Sequence, residues 1–148
     1  MLSMPSVANA AGIDGVPSGP PLAWFFMTST SDGMQTRREV LGDEHVDRAI
    51  ANTTEFTAAF QDFITRYAWG EIWNRPGLTR AERSMVTLTA LATLRQEEEL
   101  AMHTRAALRN GLTADQIREV LLQVAVYAGV PAANRAFAVA SEVLQGFA

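Results

Sequence analysis

Two helix-start signals constrain how most of this 148-residue chain can fold. The runs Thr79-Arg80-Ala81-Glu82 and Thr113-Ala114-Asp115-Gln116 each place a threonine three residues before a glutamate or a glutamine. Such a capping box satisfies backbone N–H groups that would otherwise be free in the first turn of a helix. Apolar residues follow both boxes at helical spacing, and no stretch alternates with a period of two. The sequence therefore predicts an all-α fold.

Other boundary residues extend this interpretation to a compact domain of about six helices. Gly42, Gly111 and Gly129 can each end a helix, and Thr53 or Thr54 can begin one. A short helical turn at 36–41 is predicted first. The helices predicted after it cover 43–50, 54–67, 79–94, 96–110, 113–128 and 131–146.

Two aromatic segments lie in the first half of this domain. One has its apolar side chains at helical spacing, so we expect them in the core: Phe56, Phe60, Phe63, Ile64 and Tyr67. In the other, 69–77, two tryptophans, an arginine and a Pro-Gly pair break the helical pattern and predict a loop. A loop with such residues can line a site or can form a structural corner, and the sequence leaves both open.

Residues 1–33 differ in composition from the helical domain at 34–148. They are rich in Gly, Pro, Ser and Ala and have no helical or strand period, so we expect a flexible, disordered N-terminal extension. The apolar run Leu22–Met27 is far shorter than the ~20 residues that a membrane-spanning helix needs. We therefore expect no membrane partner.

Composition removes several classes of chemistry. All twelve basic residues are arginines, so a lysine nucleophile or a lysine Schiff base is excluded. The chain has no cysteine, which excludes disulfides, thiolate catalysis and cysteine metal sites, and a reducing cytoplasm is the default expectation. A net charge of −4 gives no basic excess for nucleic-acid binding. Arginine suits the binding of carboxylates, so a small anionic substrate fits the composition.

One pair of residues in the helix predicted over 96–110 can carry acid–base chemistry. Glu99 precedes His103 by just over one helical turn, so the two share a face at the flank of a buried stripe that contains Leu100, and Glu99 is expected to border the core. Glu98 is expected to point outward. A histidine beside a carboxylate can transfer protons near neutral pH. A partly buried histidine satisfied by a local carboxylate is the structural alternative, and His45 is expected on a helix surface.

Four segments together resemble the gamma-carboxymuconolactone decarboxylase family. They are 37–47 (RREVLGDEHVD), 68–78 (AWGEIWNRPGL), 98–103 (EELAMH) and 127–134 (YAGVPAAN). The resemblance extends over 33–144, and the Trp-Gly-x-Ile-Trp-x-Arg-Pro-Gly motif is its most specific part. The Glu-x-x-x-His spacing is shared with the wider alkylhydroperoxidase-like superfamily.

The resemblance implies an alkylhydroperoxidase-like helical fold and a carboxy-lyase without a cofactor. The implied reaction turns gamma-carboxymuconolactone, a small anionic lactone, into beta-ketoadipate enol-lactone in protocatechuate catabolism. The unsaturated lactone can accept the electrons that the departing carboxylate leaves behind, so neither a metal nor an organic cofactor is expected. Ring-shaped homo-oligomers, trimers or hexamers, are also implied.

The resemblance also suggests roles for individual residues. His103 is the expected acid and Glu99 its orienting or proton-shuttling partner. The residues expected to bind substrate are Arg83, Arg75, Trp69, Trp73 and Gln96. Gln96 and Glu99 occupy the two positions at which peroxidases of the superfamily carry cysteines, so a thiol peroxidase is excluded. Two alternatives stay open: a non-catalytic oligomeric interaction module, and a decarboxylase or lactone-processing enzyme with another substrate.

Overall fold

The computed structural model describes residues 30–146, which form seven α-helices and one π-helical segment without a strand. None of these helices is long and apolar enough to cross a membrane. The predicted N-terminal extension lies, up to residue 29, outside the described residues. The helices are α1 Thr30–Leu41, α2 Asp43–Ala51, α3 Glu55–Ile64, the π-helical segment Thr65–Ile72, α4 Arg80–Leu94, α5 Glu97–Arg109, α6 Ala114–Tyr127 and α7 Val130–Gln145.

The capping boxes begin their helices as predicted. The Thr79 hydroxyl accepts from the Glu82 N–H at 3.2 Å, and the Glu82 carboxylate accepts from the Thr79 N–H at 2.7 Å. Thr113 and Gln116 make the equivalent pair of bonds at the start of α6. The all-α prediction is confirmed because these starts depend only on residues within one turn.

The larger hydrophobic core is formed by α4, α5, α6 and α7. It buries the apolar faces that follow the two capping boxes, and α5 contributes Leu100 and Ala107 to it. The other members are Leu88, Ala92, Leu112, Ile117, Leu121, Val124, Ala133, Ala136, Val139 and Ala140.

A smaller core cluster lies on another side of α5, against α1, α2 and the π-helical segment. Its buried members are Val40, Leu41, Val46, Trp69 and Ala106, and Met34, Trp73 and Met102 pack against them. Helix α5 contributes to both clusters, so the side chains on the flank between them are enclosed from two directions.

Helix α1 begins at Thr30, inside the segment that the sequence assigned to the extension. Gly33 is buried where α1 crosses the π-helical segment, and a Cβ atom there would collide with the Thr65 carbonyl oxygen. Glycine permits this close approach of two backbones.

The prediction of a loop from Trp69 onward is wrong for its first residues, because the π-helical segment continues α3 through Ile72. The Trp73 N–H donates to the Ala68 carbonyl, five residues earlier, at 2.9 Å. This wider turn shifts the side chains that follow it, and such segments frequently occur at functional sites. Pro76 and Gly77 do lie in the turn before α4.

The prediction that the first aromatic segment is core is wrong for the single chain. Phe56, Phe60, Phe63 and Tyr67, here called the aromatic surface, are 95%, 60%, 51% and 50% exposed, and α3 buries none of its residues. Helix α3 packs mainly on the π-helical segment. The helical spacing therefore predicted one shared face, and that face points away from both core clusters.

Candidate active site

Three aromatic rings from two elements meet beside the smaller core cluster. Trp69 lies in the π-helical segment, Trp73 follows its end, and His103 lies in α5. The imidazole centroid is 6.4 Å from Trp69 and 6.3 Å from Trp73, with the ring planes 13° and 19° apart. The two indole rings are 5.1 Å from each other. Two of the expected substrate-binding residues thus stand beside the expected acid.

The imidazole of His103 is enclosed and lacks a polar partner. Its Nδ1 atom is buried without a hydrogen bond in the described part of the chain. The pKa of His103 is lowered to about 4: burial is the largest cause, the charge of His45 also lowers it, and the charge of Glu99 opposes both effects. Burial dominates because an imidazolium loses hydration in an apolar site. His103 is therefore neutral at neutral pH, with one nitrogen able to donate and the other able to accept.

Glu99 acts on His103 through its charge alone. No hydrogen bond joins the two side chains in the described residues, and Glu99 is exposed rather than bordering the core as helical spacing predicted. Its neighbour Glu97 has a different role, because Arg135 of α7 donates to its two carboxylate oxygens at 2.7 and 2.6 Å. The start of α5 is thus held by Glu97, and Glu99 remains available at the surface.

The two expected carboxylate-binding arginines lie together at the end of the tryptophan motif. The Arg83 guanidinium donates to the Arg75 carbonyl at 2.7 Å, and its Nε is buried without a partner in the described residues. Burial and the nearby charge of Arg75 lower the pKa of Arg83. Arg83 lines a small cleft of about 120 Å³ together with Trp73, so this guanidinium lies next to an aromatic wall.

Gln96 lies at the N-terminal boundary of α5 and is exposed. Its side-chain amide donates weakly to the Leu94 carbonyl at 3.5 Å, and its backbone carbonyl accepts from the Leu100 N–H at 2.8 Å. The observed contacts of Gln96 are therefore local to the α4–α5 turn.

Comparison with known proteins identifies the group to which this helical arrangement belongs. The sequence profile of the Carboxymuconolactone decarboxylase family matches residues 58–142, more than half of the chain. The chain belongs to this family. The match includes the π-helical segment, α4 and α5. It therefore covers every residue that the sequence predicted for the site.

Two known proteins are similar to this chain over most of its length, and a third is similar over about a quarter of it. A 4-carboxymuconolactone decarboxylase of Acinetobacter baylyi is 49% identical over 113 residues, which are 76% of this chain and 84% of that protein. Nitrosuccinic acid decarboxylase npaB of Metarhizium robertsii is 42% identical over 113 residues, 76% of this chain and 79% of that protein. A Pseudomonas putida 4-carboxymuconolactone decarboxylase sequence is 54% identical over 39 residues, 26% of this chain and 81% of that sequence.

Sequence reasoning missed the surroundings of His45. This histidine is half-buried, rather than at the surface, and lines a cleft of about 620 Å³ with Arg48, Arg105 and Arg109. Burial lowers the pKa of His45, and the charges of Arg37, Arg48 and Arg109 lower it further. The signal in the sequence was the pair Arg105 and Arg109, one turn apart on α5 with no acidic residue one turn away on either side.

The site offers a proton donor or acceptor, aromatic walls and guanidinium groups. Within residues 30–146 no group of three or more histidine and acidic side chains is arranged to hold a metal ion. A neutral imidazole beside two indole rings can donate a hydrogen bond to an oxygen that becomes negative during a reaction. The walls can also strip water from a carboxylate, which favours its departure as uncharged carbon dioxide.

Proposed function

We propose that this protein is a carboxy-lyase that decarboxylates gamma-carboxymuconolactone to beta-ketoadipate enol-lactone in the catabolism of aromatic compounds through protocatechuate. The observation that carries this function is the 49% identity to a 4-carboxymuconolactone decarboxylase across 84% of that enzyme. The enclosed His103, walled by Trp69 and Trp73, gives the function a chemically suitable site.

The reaction needs no external electron acceptor. The bond between the ring carbon and its carboxylate breaks, carbon dioxide leaves, and the electron pair spreads through the unsaturated lactone to its carbonyl oxygen. A proton then adds to the carbon next to that carbonyl, which leaves the double bond of the enol-lactone at the carbon that lost its carboxylate. The enzyme must desolvate the carboxylate, stabilise the dienolate oxygen and deliver the proton.

His103 is suited to the second and third of these tasks. Since its pKa is about 4, it meets the substrate as neutral imidazole and donates an N–H to the developing oxyanion. The negative charge that forms on the dienolate raises the pKa of this group, so a proton taken from solvent can then pass to carbon. Glu99 supports the protonated form because its charge opposes the effect of burial.

The remaining predicted residues have supporting roles in the proposal. Trp69 and Trp73 exclude water from the imidazole, and Arg83 offers its unpartnered Nε to a substrate carboxylate beside Trp73. Arg75 holds Arg83 in place through its carbonyl. Gln96 lies at the rim, where its amide can reach a ligand only by leaving the α4–α5 turn.

An assay of purified protein tests the function directly. Loss of gamma-carboxymuconolactone is followed spectrophotometrically, with and without a chelator. Turnover that the chelator leaves unchanged supports the proposal. No turnover by folded protein contradicts it and favours the non-catalytic interaction module.

A second substrate is favoured by one specific observation, the 42% identity to a nitrosuccinic acid decarboxylase. By its name that substrate is a dicarboxylic acid with a nitro group, which can also accept the electrons of a departing carboxylate. Measuring kcat/KM for the lactone and for nitrosuccinic acid distinguishes the two substrates. A higher kcat/KM for nitrosuccinic acid would show that it, and not the lactone, is the preferred substrate.

We also propose that the enzyme is a cytoplasmic homo-oligomer, either a trimer or a hexamer. The aromatic surface supports this assembly, because four large rings on one helical face are at least half exposed in the single chain. Contiguous exposed apolar patches of this kind mark contact surfaces between proteins.

A further inference from the structure

A large cleft lies beside the candidate active site, between the start of α2 and the outward face of α5. Its volume is about 620 Å³, and none of the residues that the sequence predicted for catalysis lines it. The lining residues are Leu41, Gly42, Asp43, Glu44, His45, Arg48, Met102, Arg105 and Arg109.

The acidic residues of this cleft are already paired with arginines. Arg38, which lies outside the lining, donates to Asp43 at 3.1 Å. Arg48 donates to Glu44 at 3.3 Å. The cleft therefore keeps an excess of positive charge on its α5 side.

That charge belongs to Arg105 and Arg109. The Arg109 guanidinium donates to the uncharged Leu41 carbonyl at 3.0 Å. Within residues 30–146, Arg105 makes no ion pair or side-chain hydrogen bond. Like charges one turn apart on a helix repel each other, so this arrangement costs stability until an anion joins it.

The start of α2 adds backbone donors to the same cleft. Its N-cap is Gly42, which has a φ of +88° and no side chain to accept the free N–H groups of the first turn. A Cβ atom at Gly42 would lie only 3.1 Å from the Arg109 guanidinium carbon, so glycine keeps the helix end and this cation close together. A helix N-terminus next to two guanidinium groups favours an oxyanion.

We propose that this cleft is a binding site for a small carboxylate anion, held by Arg105, Arg109 and the first backbone N–H groups of α2. Guanidinium groups bind carboxylates through paired, charge-assisted hydrogen bonds. His45 is sensitive to the positive field of the cleft, because nearby arginine charges add to burial in lowering its pKa. A bound anion reverses that effect at His45.

Two sources can supply this carboxylate. Leu41 and Met102 line the cleft and also pack in the cluster that contains Trp69, so they form a wall shared with the candidate active site. The anion is either the carboxylate that the substrate retains, reaching across this wall, or a separate metabolite acid. The first source rests on the proposed function, whereas the second does not.

Succinate is the probe for the site, and nuclear magnetic resonance of the histidine side chains is the readout. The chain has only two histidines, so their signals can be assigned with a His45→Gln variant. Titration with succinate, against chloride at equal ionic strength, is expected to shift the His45 signal and raise the pKa of His45. Arg105→Gln is expected to weaken the binding at least ~10-fold, the loss of one charge-assisted hydrogen bond.

Arg118→Gln is the matched control, because it removes the same charge from the surface of α6, outside the cleft lining. It is expected to bind succinate as the wild type does. The proposal is overturned by the absence of a His45 response at millimolar succinate. Equal binding by the Arg105 and Arg118 variants overturns it as well.

Kinetics with gamma-carboxymuconolactone separate the two sources. If the substrate occupies the cleft, Arg105→Gln raises KM at least ~10-fold, and succinate inhibits competitively. If a separate acid occupies it, KM is unchanged and inhibition by succinate is not competitive. A protein that binds succinate at His45 but does not turn over the lactone refutes the proposed function and leaves the anion site standing.

Discussion

His103 combines two properties on a helix that contributes to both core clusters. Its Nδ1 is buried without a partner in the described residues, and its ring lies next to two indoles. An unsatisfied buried polar atom costs about 1–3 kcal/mol, so a fold keeps one where a ligand supplies the missing partner. The low pKa follows from the same enclosure.

Removing the charge of Glu99 tests its influence on His103. Glu99→Gln is expected to lower the pKa of His103, because the negative charge of Glu99 favours the protonated imidazole. Glu98→Gln, the adjacent exposed carboxylate, is expected to leave that pKa unchanged. Titration of the imidazole signal by nuclear magnetic resonance measures both. Equal shifts in the two variants would show that Glu99 has no special relation to His103.

The buried imidazole also makes stability depend on pH. The pKa of His103 falls from an ordinary 6.5 to about 4 on folding, so the unfolded chain binds more protons between these values. The contribution of His103 to the free energy of unfolding is fully present above pH 6.5. It is lost as the pH falls toward 4, and the loss is at most about 3 kcal/mol. Urea unfolding should show this loss in the wild type.

In His103→Gln the part of the loss that belongs to the imidazole disappears, because glutamine does not titrate. Other groups titrate alike in both proteins, so the difference between their pH profiles isolates residue 103. If the free energies of unfolding of the wild type and His103→Gln changed in parallel from pH 7 to pH 4, the imidazole would be hydrated in solution.

Among the elements, those set by neighbouring residues were predictable and those set by packing were not. The starts of α4 and α6 follow from the Thr79 and Thr113 capping boxes, whose hydrogen bonds stay within one turn. The π-helical segment depends on a buried crossing with α1, which ends more than twenty residues earlier, and no local pattern encodes that contact. The loop predicted at Trp69 failed for this reason.

Gly33→Ala tests the crossing of α1 with the π-helical segment. The added methyl group meets backbone atoms of Thr65 and Gly70, which cannot move aside as a flexible side chain would. We expect a loss of roughly 1–3 kcal/mol in the free energy of unfolding. Gln35→Ala, at an exposed position on the same helix, should change it by less than about 0.5 kcal/mol. Similar stability of the two variants would contradict the observed crossing.

For the whole molecule, the sequence predicted which residues share a helix face but not what each face meets. The stripe of Phe56, Phe60, Phe63 and Tyr67 was recognised correctly as one face, and its burial in the single chain was not. His45 was missed because its neighbours Arg105 and Arg109 are about sixty residues away in sequence. His103 was found from its helical spacing to Glu99, whereas Trp69 and Trp73 were found because a family motif drew attention to them.

The aromatic surface gives a prediction about assembly. The 16.1-kDa chain should have the native mass of a trimer or a hexamer in light scattering after size-exclusion chromatography. A Phe56→Ser, Phe60→Ser variant should lower that mass, because it removes apolar area from the surface that we propose is buried between copies. Ile50→Ser, which replaces an exposed apolar residue elsewhere, should not. A wild-type protein with the mass of one chain would contradict the assembly.

The central claim is that an enclosed, neutral His103 assists decarboxylation of gamma-carboxymuconolactone. Its most direct test is the kcat of His103→Gln beside the wild type, with chelator present and folding verified by circular dichroism. We predict that kcat falls at least ~100-fold, the usual loss for a general acid or base. Near-normal turnover by the folded variant would contradict the account.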